Sequence, residues 1–176
     1  TRADIVRTLN QLATEMAKND SVVVYFAGHG YQNEKTGAGY WIPSDASAKD
    51  PASWISNASV SEMLSGIPSN QIMMISDSCY SGVFTREEKL NLSDNKVQPI
   101  DILANRSVVA MSAGNDEPVA DEGRGGHSIF AWYLMQTIRN VDNWNLGNNI
   151  FEQIQREVKK TFPQTPQYGA IVSAGY

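Results

Sequence analysis

The chain has 176 residues, enough for one domain with a sheet covered by helices on both faces. Its 41% hydrophobic and 19% charged residues exclude a disordered chain and leave an ordinary globular core. A net charge of -5 with no basic cluster argues against nucleic acid and anionic membrane as partners, and favours a basic substrate.

No apolar stretch approaches the roughly 18 residues of a membrane span. The single cysteine, Cys79, excludes an intrachain disulfide, so the fold needs no oxidising compartment and a cytoplasmic location is favoured. The chain begins without a start methionine or signal peptide. Thr1 is a candidate cap for a helix reaching about Lys18, with Ile5, Leu9, Leu12 and Met16 at helical spacing.

A turn at Asn19-Asp20 leads to Ser21-Val-Val-Val-Tyr-Phe-Ala27, β-branched and aromatic, which reads as a strand ending in Gly28-His29-Gly30. Residues 31 to 39 read as a polar loop, Tyr40-Trp-Ile42 as a short strand, and residues 44 to 59 mostly as loop. Ser59 or Ser61 then caps a short helix through Leu64, stopped by Gly66 and Pro68. The apolar run Ile72-Met-Met-Ile75 lacks alternation and is too short for a helix, so it reads as a strand buried on both faces. Cys79 follows its carboxyl end.

Residues 83 to 105 are polar and aperiodic, as expected of a long exposed connection that is either functional or disordered. Ser107 to Ser112 is a third buried strand, and residues 113 to 126 form another rim loop. His127-Ser128 opens an amphipathic helix through about Arg139, residues 148 to 160 form the last helix, and Tyr168 to Val172 adds a terminal strand. Alternating strands and helices predict an α/β fold with a mainly parallel sheet.

In such a sheet, ligands bind beyond the carboxyl ends of the strands. Two parallel neighbours would place His29 and Cys79 together at that rim, and the glycines flanking His29 permit a sharp turn and close approach to a substrate. A lone cysteine is more commonly a small buried hydrophobe, which is the plain alternative for Cys79. A thiol titrates near about 8.5, so a neighbouring imidazole is needed to raise its thiolate fraction or to protonate a leaving amine. His29 is assigned as general base and then acid, and Cys79 as nucleophile. His127 is the other candidate base, against its simpler role at a helix start.

Tyr-Phe-Ala-Gly-His-Gly and Ser-Asp-Ser-Cys-Tyr-Ser-Gly resemble the two active-site motifs of the caspase and metacaspase superfamily, most closely the bacterial caspase-like peptidases and metacaspases. The 50 residues from His29 to Cys79 match the caspase spacing. The resemblance spans nearly the whole chain. It implies a caspase-like three-layer α/β/α sandwich whose first strands precede Thr1, so the chain is expected to be a fragment or processed piece, lacking an amino-terminal segment or partner chain.

Residues 1 to 82 would correspond to the large subunit, 83 to 105 to the linker and 106 to 176 to the small subunit. Linker cleavage is common in the family. Arg86, Lys89, Lys96 and Arg106 offer basic sites for it, against the alternative that they are merely solvated charges. The resemblance implies an oxyanion hole from the backbone amides of Gly30 and Cys79. Where caspases carry a glutamine two residues before the nucleophile, this chain has Asp77, as metacaspases do.

A carboxylate there would pair with a cationic substrate side chain, Arg preferred over Lys for its bidentate fork, unless Asp77 only braces a turn. Asp121 or Glu122 are candidate second acids of that pocket, or solvated loop charges. Ala27 and Tyr80 depart from the metacaspase Ser and His. Residues 54 to 59 lack the acidic cluster of calcium-binding relatives, so no metal or other cofactor and no calcium dependence are expected. The expected function is a cysteine endopeptidase acting on protein or peptide substrates. The rival readings are a non-catalytic scaffold and another cysteine hydrolase, for instance one acting on isopeptide bonds.

Overall fold

Strands β1 (Ser21–Ala27), β5 (Gln71–Asp77) and β6 (Ser107–Ser112) lie side by side and parallel, and β7 (Gln167–Ala170) closes the sheet antiparallel to β6. The computed structural model describes residues 1–79, 103–114, 123–142, 145 and 147–175. Helices α1 (Arg2–Glu15) and α2 (Asn57–Ser65) cover one face of the sheet. Helices α3 (Ile129–Arg139) and α4 (Gly147–Thr161) cover the other. This is the three-layer, mainly parallel caspase-like architecture expected.

Two cores follow from the strand pleat, because successive side chains point to opposite faces. Val22, Ile72, Met74, Val108 and Ala110 meet Leu9 of α1 and Val60 and Leu64 of α2. Ile75 and Met111 meet Phe130 and Leu134 of α3 and Phe151, Ile154 and Val158 of α4. Fully burying one such side chain stabilises by about 1.5–3 kcal/mol, so both layers are held chiefly by this contact. On β1 the second face is open, with Val23 and Tyr25 exposed.

Helix α1 starts at the expected cap, with Thr1 and Asp4 exchanging a capping box. It ends at Glu15 rather than near Lys18, because the Asp20 carboxylate accepts from the Ala17 amide at 2.7 Å and closes a turn there. Ser56, not Ser59 or Ser61, caps α2, its hydroxyl accepting from the Ser59 amide at 3.0 Å. The terminal strand is Gln167–Ala170, followed by a 3-10 turn at Val172–Ala174.

Of the expected rim loop at residues 31 to 39, residues 33 to 38 are the turn of a β-hairpin, while Tyr31, Gln32 and Gly39 belong to its strands. Strands β2 (His29–Gln32), β3 (Gly39–Ile42) and β4 (Ile55–Ser56) form a small antiparallel sheet. Only the tip between β2 and β3 is a turn, where Asn33 Oδ1 accepts from the amides of Lys35 and Thr36. The hairpin is pinned by buried Trp41, which stacks on Phe26 of β1 at 4.1 Å between centroids.

Arg106 also corrects an expectation. Rather than a solvated charge or cleavage site, it reaches inward and donates to the carbonyls of Leu64, Ser65, Ile67, Ser69 and Ala174 at 2.6–3.3 Å. Leu64 and Ser65 end α2, so the guanidinium also meets the negative end of that helix. Most of the predicted connection at residues 83 to 105, with Arg86, Lys89 and Lys96, lies outside the described residues, as does most of the rim loop at 113 to 126. Among the described residues no helix is long and apolar enough to cross a membrane.

Candidate active site

Every pair in the β1–β5 ladder differs by the same 50 positions, from Ser21 beside Gln71 to Ala27 beside Asp77. The parallel register therefore accounts for the spacing of the two motifs. His29 and Cys79 each lie two residues past the Ala27–Asp77 pair, at one rim of the sheet. The ladder persists one step further, with the Gly28 amide donating to the Asp77 carbonyl at 3.3 Å.

At His29 the chain turns out of the main sheet into β2, so the imidazole is exposed at the start of the hairpin. Gly30 lies directly against the other motif. A Cβ on it would stand 2.0 Å from the Cys79 carbonyl oxygen and 3.4 Å from Ser78 Oγ. Only glycine allows that approach without displacing backbone. Beneath the cysteine, Ser78 is buried and its hydroxyl shares a 3.0 Å hydrogen bond with that of Ser76. Cys79 itself is half-buried and packs against the Ile75 and Met111 side of the core.

Beside His29 is an open cavity of about 490 Å³, lined by Tyr25, His29, Asp77, His127 and Ser128 with neighbouring small residues. Cys79 is outside this lining. Asp77 is buried at the end of β5, in strand rather than in a turn. Its Oδ2 accepts from Tyr25 Oη at 3.0 Å and from Ser128 Oγ at 2.6 Å. Ser128 Oγ in turn accepts from the Ala131 amide at 2.9 Å, capping α3. Tyr25 is only half covered, yet that partial desolvation, and then the charge and hydrogen bond of Asp77, hold its phenol above the ordinary pKa.

The structure thus brings His29, Gly30, Asp77, Cys79 and His127 to one rim. His127 follows Gly125 and Gly126, whose φ values of 65° and 78° suit glycine, and it faces the cavity from the amino end of α3. Asp121 and Glu122 lie outside the described residues. In the sequence Tyr25 reads as one more aromatic in a strand. Ser128 was visible only as a helix opener. The one signal for Tyr25 was pleat parity, since it shares a face with Ala27 at the motif end of β1.

Among known proteins, the fold is similar to that of protein GSU0716 from Geobacter sulfurreducens, with a TM-score of 0.65 and 18% identity. That match covers 97% of this chain and 73% of the other. It is also similar to caspase-1 from Spodoptera frugiperda, with a TM-score of 0.60 and 12% identity, over 96% of this chain and 67% of that one. No curated protein sequence matches. The family model of the caspase domain, peptidase family C14, matches residues 1–173, and with motifs, register and fold in agreement the chain belongs to that family.

Proposed function

We propose that this chain is a cysteine endopeptidase domain in which Cys79 attacks the scissile carbonyl and His29 transfers the proton. The observation that carries the reading is the common offset of β1 and β5, which delivers a histidine and the sole cysteine to one rim. The thiolate adds to the carbonyl carbon, the leaving amine takes a proton from the imidazole, and water then releases the acyl group. The Gly30 and Cys79 amides serve as oxyanion donors. Asp77, buried beside the cavity, receives the substrate's basic side chain, Arg in preference to Lys. With that preference, Arg86, Lys89 and Lys96 are sites at which the domain cuts itself.

Comparing wild type with Cys79→Ala on a peptide library varied at the residue before the cut tests the reading. Cleavage after Arg and Lys, lost in Cys79→Ala, is expected; cleavage after Asp alone would reject the carboxylate pocket. A specific observation favours the second reading, a non-catalytic scaffold: Cys79 packs against the apolar core and does not line the cavity. Iodoacetamide separates the two. A catalytic Cys79 is labelled fast and loses that rate in His29→Ala, while a packing cysteine is labelled slowly and equally in both.

A further inference from the structure

We propose that Tyr25 and Ser128 are positioning residues that set the Asp77 carboxylate for a cationic substrate side chain in the cavity beside His29. The proposal rests on the reading of Asp77 as the acid of the substrate pocket. Both hydroxyls donate to the same oxygen, Oδ2, at 3.0 Å and 2.6 Å. Their approach from two elements, β1 and the start of α3, fixes the plane of the carboxylate. Neither donor carries charge, so each favours the ionised form without contributing a competing cation.

The Ser128 hydroxyl accepts from the Ala131 amide with a lone pair and gives its single proton to Asp77, since an ionised carboxylate can only accept. Its bond to the acid therefore has a defined direction. The Tyr25 phenol, pushed up by partial burial and by Asp77, stays a donor throughout the neutral range. The amino end of α3 adds a partial positive field on the same carboxylate. Tyr25 and Ser128 line the cavity themselves, so they also shape the space around the guanidinium.

The test is discrimination between two fluorogenic peptides that differ only in arginine or its neutral isostere citrulline before the cut. It is measured for wild type, Tyr25→Phe, Ser128→Ala and Ser128→Thr. A ratio of kcat/KM values is used because partial misfolding lowers both values together. The ratio is expected to fall about tenfold in Tyr25→Phe and Ser128→Ala, as for loss of a hydrogen bond to a charged group. Ser128→Thr, which keeps the hydroxyl and the cap, should restore it.

Wild-type discrimination with a ratio unchanged within twofold in both deletion variants would overturn the positioning role alone. Equal cleavage of the two peptides by wild type would overturn the pocket reading itself, and the positioning role with it.

Discussion

Replacing Gly30 by alanine tests the junction of the two motifs most directly. The added methyl would stand 2.0 Å from the Cys79 carbonyl oxygen, whereas real contacts of this kind essentially never fall below 3.0 Å. At least about 1 Å of movement is therefore forced. Strand β2 is poorly placed to yield, since Gly30 pairs with Trp41, which is 2% exposed and stacked on Phe26. The Cys79 backbone has to move instead. A misplacement of about 1 Å costs on the order of 100-fold in rate. Overpacking at one site costs about 1–3 kcal/mol, or roughly 2–12 °C in Tm for a chain of this size. Gly30→Ala is thus expected to fold, with kcat/KM on an arginine peptide reduced about 100-fold. The control is Gly37→Ala at the hairpin tip. There φ is +72° with nothing within 4 Å, so it strains the backbone without touching the rim. Thermal melts and initial rates on both variants decide the matter. Wild-type kcat/KM in Gly30→Ala, or equal losses in the two variants, would refute the steric reasoning.

Other perturbations probe separate parts of the molecule. Arg106→Met removes the donor to five carbonyls, and is expected to cost about 2–4 kcal/mol by denaturant titration; a loss below about 0.5 kcal/mol would make the clamp incidental. Asp77→Asn keeps the shape but removes the charge, so cleavage after Arg should fall roughly 10- to 100-fold relative to the citrulline peptide. The Tyr25 phenol keeps its proton in the folded state at pH values where the unfolded chain has released it, so its contribution is complete below about pH 10 and is lost as pH rises towards the raised folded value. Tyr25→Phe should therefore flatten the fall of stability above pH 10, and absorbance titration should lose a late-ionising tyrosine; an unchanged alkaline limb would contradict this. A calcium chelator should leave peptidase activity unaltered, as measured by initial rates with and without added calcium.

The main sheet was legible because its strands are dense in β-branched and apolar residues, and because parallel pairing turns a separation of 50 residues into spatial neighbours. The hairpin after His29 was not, since His-Gly-Tyr-Gln is four residues long, contains glycine and carries no apolar alternation. Its partner Trp41 gains its meaning only from stacking on Phe26, a contact across two sheets. Arg106 misled for a related reason. A cation at the end of a polar stretch resembles a solvated loop charge, and the carbonyls that receive it come from residues 64 to 69 and 174.

The same distinction separates the parts of the candidate site. His29 and Cys79 were found through local motifs, and Asp77 through its place two residues before the cysteine. What surrounds Asp77 has no local signature, since its hydroxyl partners are 52 residues upstream and 51 downstream. Ser128 lies beyond residues 80–102 and Tyr25 before them, so Oδ2 of Asp77 takes a hydrogen bond from each half of the chain beside the cavity. A carboxylate held this way depends on α3 being seated against the sheet. Loosening α3 at Phe130, which is fully buried, should therefore weaken the preference for arginine before it affects the backbone contact of Gly30 with Cys79. That follows because the first contact is made by side chains from three elements, and the second by two adjoining strand ends.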